Sequence, residues 1–140
     1  SPIFEKFTIP SLGKSRIKSK KSLKEKIFSS LFEAQRKGDL FKFDKVTKGL
    51  IGTGDKFISN KNDINYLISN IPDIKAVEME GASVAQVAEQ EKIPWVLIRV
   101  ISDNSDESAS QSFEEFLKNY NKYSWLLIEN VLSNYLSNFD

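Results

Sequence analysis

The chain contains no histidine and no cysteine among its 140 residues. Without cysteine it has no disulfide, no thiolate zinc site and no cysteine nucleophile. Without histidine it lacks imidazole catalysis and most zinc or haem ligation. Acid–base chemistry must therefore come from aspartate, glutamate, lysine or tyrosine, and we predict neither a metal nor a cofactor. The lack of cysteine is compatible with a reducing compartment.

Long apolar runs are also missing. A membrane-spanning helix needs ~18–20 apolar residues, whereas the strongest run here, Trp95–Ile98, is followed at once by Arg99. The first residues lack an initiator methionine and the pattern of a signal peptide. With 40% hydrophobic, 28% charged and 11% aromatic residues, the composition predicts one soluble globular domain without a membrane segment.

The net charge of +1 hides a basic segment, residues 14–26. Seven of its residues are Lys or Arg, between Lys14 and Lys26, and Glu25 is its one acid. Two interpretations remain open. The segment is either a solvated loop leading into a helix with a lysine-rich outer face, or a surface that binds nucleic acid or a sulfated glycan.

Alternation of strands and helices predicts an α/β fold with at least partly parallel strands. Helical spacing of apolar residues predicts helices over Ser22–Lys37, Asn62–Ser69, Gly81–Lys92 and Phe113–Leu136, the first with Ser22 as cap and Gly38 after its end. Strands are predicted over Phe41–Val46, at Gly49–Gly54 where a strand runs into a glycine-rich turn, and over Ile74–Met79 and Trp95–Ile101. The last is apolar at nearly every position, as in a sheet covered on both faces.

Polar clusters follow three of these strands, at residues 52–58, 78–81 and 102–104. Ligands of open α/β sheets bind beyond the carboxyl ends of strands, so we expect the clusters to share one edge. Asp103 follows a buried strand, where a raised pKa makes proton donation possible, although a helix cap or Asx turn is the alternative. The sequence thus predicts a carboxylate site at this edge.

Glu78 and Glu80 are two residues apart, so on a strand they lie on one face. They repel each other unless they bind hydroxyls, a cation or arginine, and an exposed pair at the sheet edge is the alternative. Arg99 lies inside an apolar strand, which is unfavourable without a carboxylate partner, and no partner is evident nearby in the sequence. Phe57, beside the glycine turn, is a candidate for stacking on a base.

Three segments together resemble a known family: Gly49–Ile58 (GLIGTGDKFI), Ala76–Ala82 (AVEMEGA) and Ile98–Asp103 (IRVISD), followed by Ser112–Phe116 (SFEEF). Their order and gaps are similar to those of the 5'-methylthioadenosine/S-adenosylhomocysteine nucleosidases of the purine nucleoside phosphorylase superfamily. The resemblance covers residues 48–136 closely and residues 1–47 loosely. It implies a three-layer α/β/α fold with a mixed central sheet, of which this chain is the C-terminal part.

The resemblance also implies roles for site residues. Asp103 is expected to protonate N7 of adenine as general acid, with Ser102 orienting its carboxylate and Arg99 as a third catalytic residue. The substrate-binding residues are expected to be Phe57 and Ile58 at adenine, Glu80 at the ribose hydroxyls, Met79 under the sugar and Phe113 at the 5'-alkylthio group, with Glu78 as a further substrate-binding residue. Adenine leaves poorly until protonated, and carboxylates stabilise positive charge on the sugar.

Family enzymes are longer and carry a water-activating glutamate in strands that these residues lack; that glutamate pairs with the residue matching Arg99. The resemblance implies a cytoplasmic homodimer acting on a nucleoside in methionine salvage, without cofactor or metal. We do not expect these residues alone to be active. The alternatives are a truncated paralogue without activity, binding of nucleic acid or glycan through residues 14–26, and a purine nucleoside phosphorylase.

Overall fold

The computed structural model describes residues 5–102 and 109–136. Six elements follow one another: α1 (Lys21–Lys37), β1 (Leu50–Thr53), α2 (Lys61–Asn70), β2 (Ile74–Glu78), α3 (Gly81–Gln90) and α4 (Ala109–Leu136). The four predicted helices are confirmed with ends shifted by a few residues, and two of the four predicted strands are present. No helix in the described ranges is long and apolar enough to cross a membrane.

Helix α1 forms because apolar residues recur on one face at helical spacing, and Ile27, Leu31 and Ala34 are its buried residues. The predicted cap at Ser22 is wrong. The helix begins one residue earlier, Lys20 is the N-cap residue, and no side chain caps the helix. The predicted stop is confirmed, because Gly38 has φ +89° and donates its backbone N–H to the carbonyl of Gln35.

Alanine at Gly38 is expected to lower the free energy of unfolding by about 1 kcal/mol, because a Cβ strains the left-handed backbone conformation. Gly54→Ala is the matched control. Both positions have open space for a Cβ, but only Gly38 has a positive φ. Urea denaturation of both variants measures the difference, and equal midpoints would show that the left-handed conformation is not what requires glycine.

The two strands form a parallel pair. Leu50 pairs with Ile74, Ile51 with Ala76 and Thr53 with Glu78, with an irregularity after Leu50. Gly52 lies against Ile74, where an added Cβ would meet the Ile74 side chain at 2.7 Å. The parallel strands expected from the sequence are confirmed for this pair. Helix α2 connects them, and the Asn60 side chain caps it by accepting the backbone N–H of Asp63 at 3.0 Å.

Two predicted strands are absent, and these predictions are wrong. Residues 41–46 form turn and irregular structure, although Phe43 and Val46 still pack against the core. Residues 95–101 form no strand either. The reason is physical: a strand needs a neighbour to complete its ladder, and none of the described residues makes a backbone hydrogen bond to residues 95–101.

Two cavities flank this irregular segment. One of about 900 Å³ and another of about 800 Å³ share the lining residues 98–101 together with Lys75 and Ala76 of β2. Ile98 and Ile101 are 40% and 61% exposed despite being apolar. The segment is apolar, as a central strand would be. It borders the two cavities, however, in the places where neighbouring strands would pair with it.

The core lies between α1 and α4. Its buried members are Ile27, Leu31, Ala34, Leu40 and Leu126, and Leu40 is fully buried. A smaller contact joins α3 to β1 through the buried face of Ala85 and Ala88. Small residues on this face let α3 lie close to the strands, which places its N-terminus beside the end of β2.

Candidate active site

The carboxyl ends of β1 and β2 meet at one edge, as expected for parallel strands. The larger cavity lies there, and seven of the predicted site residues line it: Phe57, Ile58, Glu78, Met79, Glu80, Arg99 and Ser102. Helix α4 closes one side with mixed polar and apolar side chains, among them Phe116, Tyr120, Ser124 and Leu127. The clusters after the first two strands and Ser102 of the third are thus brought together.

Glu78, the last residue of β2, is the centre of the polar contacts at this edge. Its Oε1 accepts the Thr53 hydroxyl and the Gly81 backbone N–H at 2.9 Å. Its Oε2 accepts the backbone N–H groups of Glu80 at 3.1 Å and Gly81 at 2.7 Å, and the guanidinium of Arg99. The side chain is only 9% exposed. One carboxylate therefore joins β1, the start of α3 and the irregular segment.

These donors determine the protonation state of Glu78. Burial raises the pKa of its carboxyl, but hydrogen bonds from Thr53, Arg99 and the backbone N–H groups of Glu80 and Gly81 outweigh it and lower the pKa to about 2. Glu78 is consequently an anion at neutral pH. It acts as an acceptor and a counter-ion, and it is unsuited to donate a proton.

Arg99 has two carboxylate partners. It contacts Glu78 and donates to Oε2 of Glu80 at 2.6 Å. These partners were not evident near Arg99 in the sequence because the two glutamates are 21 and 19 positions away, and only folding brings them near. Of the partners expected for the two glutamates, hydroxyls, a cation or arginine, the structure shows arginine at both and the Thr53 hydroxyl at Glu78. They differ in exposure, 9% for Glu78 against 69% for Glu80.

Phe57 and Met79 present apolar surface to the cavity, 48% and 45% exposed. Phe57 follows the turn after β1, and Met79 lies between the two glutamates where β2 ends and α3 begins. An exposed ring and thioether beside a paired carboxylate form a surface with both apolar and polar character. This arrangement suits a flat heterocycle joined to a hydroxylated group.

Two predicted residues cannot be placed in the site. Asp103, the predicted general acid, lies outside the described residues, directly after Ser102. Phe113 belongs to α4, but its side chain is also outside the described part. Their roles stay predictions.

Thr53 is the residue that sequence reasoning missed. Its hydroxyl donates to Glu78 and accepts the backbone N–H of Ala82 at 2.9 Å. A hydroxyl residue at the end of a buried strand, in a polar cluster, was the available signal. The pattern did not reveal its partner, which lies 25 residues further along the chain. No set of three acidic residues in the described ranges is arranged to hold a metal ion.

The basic segment is partly anchored by ion pairs. Arg16 makes a bidentate pair with Asp73, at 2.7 and 2.9 Å, and Lys14 lies 3.5 Å from Glu89. These contacts tie the segment to the α2–β2 turn and to α3. Exposed ion pairs stabilise little, but they leave fewer free cations for a polyanion. Binding of nucleic acid or glycan stays a prediction.

An α/β domain with a cavity at its strand ends, lined by an aromatic ring and an arginine-paired glutamate, has its candidate site where proteins built on open parallel sheets bind their ligands. Comparison with known families makes this specific. Residues 1–133 match the model of the Phosphorylase superfamily, and the chain belongs to that superfamily. The α/β fold and the resemblance derived from the sequence are thereby confirmed; the mixed sheet stays a prediction.

Individual relatives narrow the comparison. A 5'-methylthioadenosine/S-adenosylhomocysteine nucleosidase of Anoxybacillus flavithermus is 43% identical over 74 residues, covering 53% of this chain and 32% of the relative. The solved nucleosidase of Colwellia psychrerythraea, in complex with adenine, has a TM-score of 0.74 and 28% identity, covering 94% of this chain and 55% of that one. Futalosine hydrolase of Helicobacter pylori has a TM-score of 0.69 and 32% identity, covering 84% and 46%. The chain thus spans between a third and about half of the length of these relatives.

Proposed function

We propose that the chain provides the leaving-group and ribose side of an N-ribosyl hydrolase site, which cleaves 5'-methylthioadenosine and S-adenosylhomocysteine to release adenine. The observation that carries the proposal is the cavity where Phe57, Met79, Glu80, Arg99 and Ser102 converge. The nucleosidase relatives support the reaction, and the Colwellia psychrerythraea enzyme is in complex with adenine.

In the proposed reaction, Phe57 stacks on adenine and the backbone of Ile58 bonds its edge. Asp103 gives its proton to N7, with Ser102 orienting the carboxylate, so that the bond from N9 to the ribose breaks with adenine as a neutral leaving group. Glu80 binds the ribose hydroxyls, and its negative charge stabilises the positive charge that develops on the sugar. Phe113 contacts the 5'-alkylthio group.

Water must then attack the sugar carbon, which requires a base. Arg99 is engaged by two glutamates, yet neither is placed to be that base: Glu78 is enclosed by donors and Glu80 is assigned to the ribose. We therefore propose that water activation comes from a part of the family fold not present in these residues. Homodimerisation, a cytoplasmic location and a role in methionine salvage are further proposals, supported by the resemblance.

The proposal is tested by measuring adenine release by chromatography. The chain alone is expected to bind adenine. It is expected to cleave little of either nucleoside, so that little adenine is produced. A chimera, in which this chain replaces the matched part of the Colwellia psychrerythraea nucleosidase, is expected to release adenine from both. A correctly folded chimera without adenine release from either nucleoside would refute the assignment.

A second candidate substrate is futalosine, because the futalosine hydrolase of Helicobacter pylori has a similar fold at 32% identity. The same chimera assayed with futalosine distinguishes the two. If the chimera prefers futalosine to 5'-methylthioadenosine, the proposed N-ribosyl hydrolysis stands and futalosine replaces 5'-methylthioadenosine as the proposed substrate.

A further inference from the structure

The two glutamates at the cavity differ in how many hydrogen bonds they have left to make. An ionised carboxylate offers about four acceptor positions. Glu78 accepts from four groups, the Thr53 hydroxyl, two backbone N–H groups and Arg99, and one of these N–H groups is shared between its two oxygens. With 9% of the side chain exposed, Glu78 has no acceptor position left for a ligand hydroxyl.

Glu80 is in the opposite situation. It is 69% exposed, and within the described residues only its Oε2 is engaged, by Arg99 at 2.6 Å. Its Oε1 is therefore left with acceptor positions for hydroxyl groups. Of the two carboxylates, Glu80 is therefore the one able to bind a ribose.

Thr53 and Glu78 together replace a helix cap at the start of α3. The N-cap residue Glu80 makes no side-chain capping bond. Glu78 accepts the N–H of Gly81 instead, and Thr53 accepts the N–H of Ala82 at 2.9 Å. A carboxylate and a hydroxyl at the positive end of a helix satisfy N–H groups that are otherwise unpaired.

The closeness of this packing is visible at Gly81. An added Cβ would lie 2.8 Å from Oε1 of Glu78 and 2.5 Å from Leu97. Glu78 is thus enclosed between the start of α3 and the segment that carries Arg99. Since Arg99 bonds Glu78 and Glu80 through the same nitrogen, the position of Glu78 determines where Glu80 is held.

We infer that Thr53 and Glu78 are positioning residues: the hydroxyl orients the Glu78 carboxylate, which anchors Arg99 and so fixes the ligand-facing carboxylate of Glu80. Neither of them touches the ligand. This inference rests on the proposed function for the identity of the ligand, a ribonucleoside, but the positioning itself depends only on the contacts above.

The test compares Thr53→Val, which removes the hydroxyl at nearly constant volume, with Thr53→Ser, which keeps it. NMR resonances of the Ala82 amide and the Arg99 guanidinium are expected to shift in Thr53→Val and to return toward their original positions in Thr53→Ser. Unchanged Arg99 resonances in Thr53→Val would overturn the inference, whether or not the protein binds a nucleoside.

Binding of ligands adds a readout that general loss of structure would not produce. Affinity for 5'-methylthioadenosine is expected to fall about tenfold in Thr53→Val, the effect of about one charge-assisted hydrogen bond, and affinity for adenine to stay unchanged. Thr53→Ser should restore the affinity for 5'-methylthioadenosine. An equal loss for both ligands would overturn the inference. If the unchanged chain binds neither ligand, the proposed function fails while the NMR comparison still decides the positioning.

Discussion

Glu78→Gln is expected to lower the free energy of unfolding by about 2–4 kcal/mol at pH 7. The amide has nearly the shape of the carboxylate, so the effect comes from hydrogen bonding and charge. Both oxygens of Glu78 accept from donors, and Gly81 N–H approaches both of them. Whichever way the glutamine turns, its NH₂ group faces other donors and leaves them unsatisfied, and Arg99 loses one of its two anions.

The loss is expected to depend on pH in a defined direction. The pKa of Glu78 is about 2 in the folded chain against an ordinary value of 4.5. A lowered folded-state pKa means that the stabilisation is fully present above pH 4.5 and disappears as the pH falls through about 2. The gap between wild type and Glu78→Gln should therefore narrow over this range, by an amount on the order of 2 kcal/mol because Arg99 is partly exposed.

Urea denaturation at several pH values between 7 and 2 measures this gap. Other carboxyls, including Asp63 and Asp73, also have lowered pKa values through their ion pairs, so the wild-type curve alone does not isolate Glu78. The difference between the two proteins does.

Glu80→Gln is the matched control. The Glu80 side chain is mostly exposed and accepts one hydrogen bond, from Arg99, so its substitution is expected to change the free energy of unfolding by about 0.5 kcal/mol. Equal effects of the two substitutions would contradict the central role of Glu78.

The same cluster shows what the sequence could and could not reveal. Glu78 and Glu80 were identified as candidates from their position after a predicted strand, and Arg99 as a charge inside one. Both observations depend on local patterns of apolar and polar residues, and the family resemblance supplied their roles. Their pairing was missed because it depends on how residues 95–101 lie beside the end of β2. Local spacing contains no information about a contact across 19 or 21 positions.

Residues 95–101 show the converse. Their apolar pattern indicated a central strand, yet strand formation depends on neighbours that supply hydrogen bonds. None of the described residues does so. Helix α1, by contrast, was predicted almost to the residue, since an apolar stripe and a glycine stop are local features. Helix α1 and the paired strands β1 and β2 were therefore predictable from local patterns, whereas a strand at residues 95–101 needs neighbours that the described residues do not supply.

Asp103→Asn is expected to lower the rate of adenine release by about 10²–10⁴-fold in the chimera described above, the range for loss of one general acid. Asparagine keeps the size and hydrogen-bonding reach of aspartate but has no proton to give to N7. Affinity for adenine should therefore change little, so that kcat falls while binding persists. Asp103 follows Ser102, which lines the cavity, and this is why a carboxylate from that position is proposed to reach the base.

The control is Asp39→Asn. This aspartate is exposed just after α1 and does not line either of the two described cavities, so the same change of charge there should leave turnover unaltered. Single-turnover measurement of adenine release, with adenine binding measured separately, distinguishes lost chemistry from lost binding. Full turnover in Asp103→Asn would show that Asp103 is not the general acid. Because the chain has no histidine and Glu78 is held as an anion by its donors, the proton would then have to come from another carboxyl, from a lysine or tyrosine, or from the part of the chimera contributed by the relative.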